Sequence, residues 1–277
     1  MQDDTRQSTM VTLSNKDFCR LKEFIYKECG INIIDSKKTM LEARLQKRLR
    51  KLDLTSFSKY CDYLFSPHGT KEELTDMINQ VTTNKTDFFR EPAHFDYLRY
   101  KVLPELSRTR STIAAWSAGC SSGEEPYTLA MVLKEFGCNF AILATDISTR
   151  VLDKARLAVY DEEETNPISP KLKKKYLLAS KDRIRRLYRI APELRAHVKF
   201  RRLNFMDDEF GFSQPVDIIF CRNVIIYFDK PTQERLLNKF YRCLSPNGYI
   251  FMGHSETLFG MDVPLIQAAP TIYRKAV

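Results

Sequence analysis

The chain has 277 residues, 43% hydrophobic and 29% charged, with 44 Lys and Arg against 35 Asp and Glu for a net charge of +9. This is the composition of an ordinary soluble globular protein, long enough for one large domain or for a large and a small one. No run spans a membrane, because the most apolar one, 216–228, is broken by Asp217, Arg222 and Asn223, and the basic balance suits nucleic acid, an anionic membrane or an acidic protein without choosing among them.

The opening Met1-Gln2-Asp3-Asp4 has neither the basic start nor the apolar core of a signal peptide. The seven cysteines contain no Cys-x-x-Cys pair, which fits reduced thiols in a cytoplasm. His68, His94, His197 and His254 show no metal-ligand spacing, so no metal is expected.

Residues 11 to about 80 read as helices. Phe18, Leu21, Phe24 and Ile25 recur at helical spacing, as do Met40, Leu41, Leu45, Leu49 and Leu52, then Leu74, Met77, Ile78 and Val81. The second group shares its helix with Lys37, Lys38, Arg44, Lys47, Arg48, Arg50 and Lys51, a run of one sign relieved only by Glu42. Such a run is either a solvated face or a dock for an acidic partner, and its density favours the dock. The polar Thr82-Thr83-Asn84 marks a boundary. The stretch 82–91 that begins there concentrates hydrogen-bonding side chains and Arg90 beside Phe88 and Phe89, either as part of a site or as a linker with a helix cap.

From Ile113 short apolar runs alternate with amphipathic stretches. Strands are expected at 113–118, 140–145, 198–203, 216–221 and 248–253, and helices at 124–136, 148–158 and 231–244. That alternation predicts a mostly parallel, doubly covered sheet. The segment 160–198 interrupts it and is too long for a connecting loop, so it reads as an inserted subdomain. Its stretch 183–190 partly alternates, as a half-exposed strand or hairpin arm does.

The chemistry gathers at the carboxyl ends of these strands, where an open α/β sheet binds its ligand. Ala115 to Tyr127 reads as strand, glycine turn and helix start, and the helix opens with Glu124 and Glu125. A phosphate-binding turn keeps that helix end free for an anion, whereas two acids there favour a cationic, ribose-bearing ligand such as S-adenosylmethionine. Asp146 ends the second strand about 20 residues past the turn, placed for ribose hydroxyls or, equally, for capping the next helix. Asn204 and Phe205 end another strand and offer an adenine edge and face, or simply a turn and a core ring. Arg222 and Asn223 interrupt an apolar run where cofactor and substrate would meet, with Tyr227 just beyond. No proline follows Asn223, unlike the Asn/Asp-Pro-Pro-aromatic run of DNA amino-methyltransferases.

Together the segments 83–91, 116–127, 144–148, 220–228 and 253–256 resemble the chemotaxis receptor methyltransferases, the CheR family, in family order over nearly the whole chain. The resemblance implies an α/β, Rossmann-like adenosylmethionine-dependent methyltransferase domain at 84–277 with a small antiparallel β-subdomain inserted at about 160–198, behind an all-α N-terminal domain at 1–83. It implies methyl-ester formation on receptor glutamates, with S-adenosylhomocysteine as product, in a cytoplasmic enzyme recruited to membrane-bound receptors. By position the cofactor residues fall on Asn84, Thr86, Arg90, Glu125, Asp146, Asn204, Phe205, Arg222 and Asn223, and Arg90 and Tyr227 lie near the transferred methyl. Arg44, Lys47, Arg48, Arg50 and Lys51 correspond to the face that docks the receptor's acidic methylation helix. In some members the inserted subdomain carries a glycine-rich loop that binds a receptor C-terminal peptide; residues 179–186 contain no glycine, so no tethering peptide is expected. Neither nucleic acid nor membrane insertion is expected. An RNA methyltransferase and a non-catalytic adenosylmethionine-binding signalling module are the competing readings.

Overall fold

The computed structural model describes residues 11–66, 69, 71–182 and 184–276. The chain divides into two compact units, Met1–Thr82 and Thr83–Val277.

The first unit holds α1 (Asn15–Cys29), α2 (Lys38–Lys51), α3 (Phe57–Leu64) and α4 (Lys71–Val81). Ser14 caps α1 by accepting the Asp17 N–H at 3.0 Å, and Gly30 ends it in the left-handed region. Phe18, Leu21, Ile25, Leu41, Leu45, Leu49, Met77, Ile78 and Val81 are buried, as their spacing predicts. Burying each such side chain contributes about 1.5–3 kcal/mol, which holds these short helices together.

Arg48 departs from the exposed docking face expected of it. It is 6% exposed, its Nε donates to Glu73 Oε1 at 3.1 Å, its Nη2 pairs with Glu73 Oε2, and its Nη1 lies 2.8 Å from Asp76. Tyr60 donates to the same Glu73 at 2.8 Å. Helical spacing turns residue 48 onto the stripe of Leu41, Leu45 and Leu49, so its charge is consumed inside the unit. Lys47, Arg50 and Lys51 stay exposed, and Arg44 is half-buried with its Nη1 on the Val81 carbonyl.

In the second unit α5 (Pro92–Tyr97) runs through a π turn into α6 (Leu103–Leu106). Then come β1 (Thr112–Ala118), α7 (Glu124–Phe136), β2 (Asn139–Asp146) and α8 (Thr149–Leu157), within a residue of the expected ends. The insertion follows as β3 (Val159–Tyr160), α9 (Glu162–Thr165), α10 (Pro170–Tyr176), β4 (Leu177–Ala179), β5 (Tyr188–Ile190) and α11 (Pro192–Arg195). The chain returns as β6 (Val198–Arg202), β7 (Val216–Cys221), α12 (Lys230–Cys243), β8 (Leu244–Met252), β9 (Leu265–Ala269) and β10 (Ile272–Lys275).

The main sheet has the order β6-β2-β1-β7-β8-β10-β9. Its first five strands are parallel, and β10 then joins β8, and β9 joins β10, by antiparallel pairing. Ala115 of β1 pairs with Ile142 on one side and Ile218 on the other, so strand order reverses about β1. The crevice at such a reversal, outside the carboxyl ends, is the usual ligand site of open α/β sheets. Every residue of β7 is buried, as a strand covered on both faces requires.

The insertion forms a separate antiparallel sheet, β3-β5-β4, that buries Tyr160, Leu177 and Ile190. The alternation at 183–190 becomes strand only from Tyr188. Asp182 Oδ1 accepts the N–H groups of Ile184 and Arg185 at 2.9 and 3.3 Å, which bends the chain into a turn where the pattern suggests an arm. Arg183 lies outside the described residues.

Candidate active site

Gly119 turns the chain at the end of β1 with φ +85, and a Cβ there would come within 2.5 Å of Val224 Cγ2. Only glycine permits both the conformation and the approach. The N–H groups of Gly119 and Cys120 bond to the Thr145 carbonyl at 2.8 and 2.9 Å, tying the turn to β2.

The two acids that open α7 part ways. Glu125 turns to the strand ends: its Oε1 accepts Ser117 Oγ–H at 2.7 Å and its Oε2 accepts Arg222 Nε–H at 2.8 Å. Glu124 accepts both its bonds from Ser122 Oγ, at 2.8 and 2.9 Å. Burial pushes the Glu124 carboxyl up to about 7, with Lys154 and Glu164 as its charged neighbours. Consecutive helical residues point about 100° apart, so the expected pair of acids presents one carboxylate to the site, that of Glu125.

Asp146, at the end of β2, accepts the Ser121 N–H through Oδ2 and the Ser148 N–H through Oδ1, each at 2.9 Å. It braces the glycine turn, and the Ile147 N–H adds a further backbone bond to the carboxylate. Burial raises its pKa against the pull of those backbone bonds.

Arg222 is the hub. Besides Glu125, its Nη1 donates to the Arg90 carbonyl at 2.6 Å, and its guanidinium lies over the Phe95 and Phe220 rings at 5.1 and 5.4 Å. Glu91 Oε2 and His94 Nδ1 stand 3.5 and 3.4 Å from the same Nη1. His94 is pushed down to about 4 by burial and by the Arg222 charge, so it is neutral near pH 7; its Nε2 contacts Thr271 Oγ1 at 2.9 Å.

The segment 84–91 lies along these strand ends. The Asn84 carbonyl accepts Ser121 Oγ–H at 2.9 Å, Phe89 N–H donates to Thr128 Oγ1 at 3.2 Å, and Arg90 Nη1 folds back on the Lys85 carbonyl at 3.0 Å. Phe89, Glu91, Ser121 and Asn223 all have φ between 48 and 58, a left-handed conformation costing on the order of 1 kcal/mol each in residues that are not glycine. All four lie at these strand ends, among the nine non-glycine described residues with positive φ.

Asn204 follows β6, whose Arg202 pairs with Asp146, and its Oδ1 accepts the Met206 N–H at 3.1 Å. Phe205 is half-buried, edge-on to Trp116 and Phe240 at 6.5 and 5.6 Å. Thr86 and Tyr227 are half-buried, and the Tyr227 hydroxyl has no hydrogen-bond partner among the described residues. The fold thus brings two bonded groups to the strand ends. Asn84 and Asp146 are joined through Ser121, and Arg90, Glu125, Arg222 and Asn223 are joined through Arg222 and Glu91, with Asn204 and Phe205 following the strand that pairs with Asp146. The sequence assigned no role to Glu91, His94 or Glu256. Two of these, Glu91 and Glu256, stand in quoted motifs, but an acid flanked by polar residues carries no spacing signal of its own.

The sequence of the chain matches known proteins along nearly its whole length. Residues 84–273 match the CheR methyltransferase SAM-binding domain, and residues 16–82 match the CheR methyltransferase all-alpha domain. A chemotaxis protein methyltransferase of Borreliella burgdorferi is 41% identical over 276 residues, covering 96% of each chain. The chain belongs to the CheR methyltransferase family. Chemotaxis protein methyltransferase 2 of Pseudomonas aeruginosa is 38% identical, covering 95% of this chain and 94% of its own, and the chemotaxis protein methyltransferase of Escherichia coli is 38% identical, covering 95% and 92%. As a CheR methyltransferase the chain uses S-adenosylmethionine and serves chemotaxis; the RNA and non-catalytic readings are not favoured. The residues fit that cofactor, since the site offers carboxylates at Glu125 and Asp146 and its central guanidinium, Arg222, is already paired with Glu125. Among the described residues no helix is long and apolar enough to cross a membrane.

Proposed function

We propose that this CheR methyltransferase esterifies glutamate side chains on the acidic methylation helices of chemotaxis receptors, releasing S-adenosylhomocysteine. The observation that carries the reading is the Glu125–Arg222–Asp146 edge at the point where strand order reverses, inside a chain matched by its family along nearly its whole length. Bound S-adenosylmethionine supplies a methyl group on a cationic sulfur.

The division of labour follows from the side chains. Residues 1–83 dock the receptor and 84–277 carry the chemistry. Glu125 takes the cofactor's amino group and Asp146 its ribose, with Asn204 and Phe205 at the adenine. Asn84, Thr86, Arg222 and Asn223 complete the cofactor contacts. Arg90 and the unpartnered hydroxyl of Tyr227 orient the incoming carboxylate. A glutamate of ordinary pKa about 4.3 is ionised at pH 7, so no general base is needed. One oxygen lone pair forms the O–C bond as the C–S bond breaks, turning a carboxylate and a sulfonium into a neutral ester and a neutral thioether. Two opposite charges vanish in that step, so alignment and exclusion of water supply the rate.

Docking falls to Arg44, Lys47, Arg50 and Lys51, with Arg48 withdrawn into the core of its unit. The enzyme acts from the cytoplasm on membrane-bound receptors, without a metal and without a tethering peptide. Incubation with methyl-labelled S-adenosylmethionine and a receptor cytoplasmic fragment tests the reading. Label on protein that alkali releases as methanol is expected, and alkali-stable label or none would refute it.

A further inference from the structure

Glu256 follows β8 in the loop that begins at Gly253, and only 3% of its surface is exposed. Its Oε2 accepts the backbone N–H groups of Gly253 at 2.6 Å and Asn223 at 2.8 Å. Its Oε1 accepts those of Val224 at 2.8 Å, Ile225 at 2.9 Å and Ile226 at 3.4 Å. Five amides converge on one carboxylate, and four of them belong to the loop that carries the chain out of β7 to Tyr227. A carboxylate has about four lone-pair positions, so Glu256 is saturated and has no capacity left for a ligand. Its contribution is geometric.

Two further observations show that this loop needs holding. Asn223 sits at φ 58, in the left-handed region, which asparagine tolerates better than most residues but which still costs backbone energy that the bonds to Glu256 offset. A Cβ on Gly253 would come within 2.5 Å of Asn223 Nδ2 and 2.9 Å of Glu256 Oε2, so the loops after β7 and β8 are pressed together with Glu256 as the rivet. Hydrogen bonds to an ionised group are the stronger kind.

We propose that Glu256 is a positioning residue for methyl transfer: its carboxylate fixes the Asn223–Ile226 backbone and thereby sets Tyr227 and the Asn223 side chain at the reacting end of the cleft. This rests on the reading of the cleft given above. Glu125 is held by Ser117 and Arg222 and Asp146 by Ser121 and Ser148, so most cofactor contacts survive when the rivet is weakened and only that of Asn223 is loosened. Transfer does not survive, since a displacement of about 1 Å at a reacting centre costs up to about a hundredfold in rate.

Glu256→Gln tests this. The amide keeps the shape, but its NH2 group must face at least two N–H donors whichever way it turns. The expected result is a fall in kcat of at least about tenfold with the cofactor Kd changed by less than about threefold. Leu194→Ala on α11, a buried truncation near the opposite edge of the sheet, serves as the stability control: its Tm falls while kcat stays within about twofold. Glu256→Asp keeps the charge with a shorter reach and recovers part of the rate. A Glu256→Gln enzyme with wild-type kcat, or a Leu194→Ala enzyme losing as much kcat at the same Tm, would overturn the proposal. A wild-type chain that transfers no methyl sinks the reading of the cleft and this inference with it, whereas a working wild type beside an equally active Glu256→Gln sinks the inference alone.

Discussion

Arg222 Nε donates to Glu125 Oε2 across 2.8 Å, although 97 residues separate the two in the chain. The bond fastens the end of β7 to the first turn of α7, on either side of the glycine turn that follows β1. Side-chain exposure is 2% for Arg222 and 9% for Glu125, so the pair is buried. Removing one partner of such a pair strands the other charge, at a cost of about 3–5 kcal/mol. Arg222→Met should lower the unfolding free energy by about that amount, measured by denaturant titration. The double variant Arg222→Met with Glu125→Gln should lose less than the sum of the singles. Additive losses would mean that the pair is not a unit.

Glu124 gives the stability a pH signature. Its folded pKa is about 7 against an ordinary 4.5, so between those values the folded state binds more protons than the unfolded one. Its contribution is therefore fully present below pH 4.5 and is lost as pH rises through 7. Glu124→Gln removes that loss. The variant should be more stable than wild type at pH 8 and show a flatter stability profile between pH 4.5 and 7, read from midpoints of denaturant unfolding. An unchanged difference across that window would refute the assignment.

On the proposed docking reading, the basic helix divides into docking and structural charges. Reversing Lys47 and Arg50 together should raise KM for a receptor fragment about tenfold at low salt, less at high salt, with the cofactor Kd unchanged. Arg48→Ala should act on stability instead, lowering the unfolding free energy by about 3 kcal/mol because Glu73 is left buried without its guanidinium. Steady-state kinetics beside thermal unfolding separates the two. A KM effect from Arg48→Ala equal to that of the charge reversal, with no loss of Tm, would contradict this division.

Tyr227→Phe removes a hydroxyl that no described residue engages, so Tm should hold while kcat falls about tenfold or more. Arg90→Ala should depress kcat further and leave the circular dichroism spectrum unchanged, because among the described residues its side chain holds only the Lys85 carbonyl. Near-wild-type turnover in both variants would remove them from the transfer step.

The sequence made the scaffold readable because periodicity and glycine placement are local signals. Strand ends such as Ala118, Asp146 and Cys221 follow from where apolar runs stop, and the carboxyl-edge rule converts those stops into a site. The wiring was not readable, since it depends on which way each side chain leaves its element. Glu124 and Glu125 look alike in the chain, and one helical step sends them to different surroundings. Arg48 looks like its neighbours Lys47 and Arg50, yet it faces Glu73 and Tyr60 inside its unit. Glu256 bonds across 30 residues and more to backbone amides, which no residue-type pattern encodes.

The most direct test is peptide mapping of a receptor cytoplasmic fragment after reaction with this enzyme and S-adenosylmethionine carrying a deuterated methyl. The account predicts the label on glutamate side chains of the acidic helices, removed by mild alkali. Label confined to lysine, arginine or nucleic acid, or a fragment left unlabelled while the enzyme binds S-adenosylhomocysteine, would contradict it.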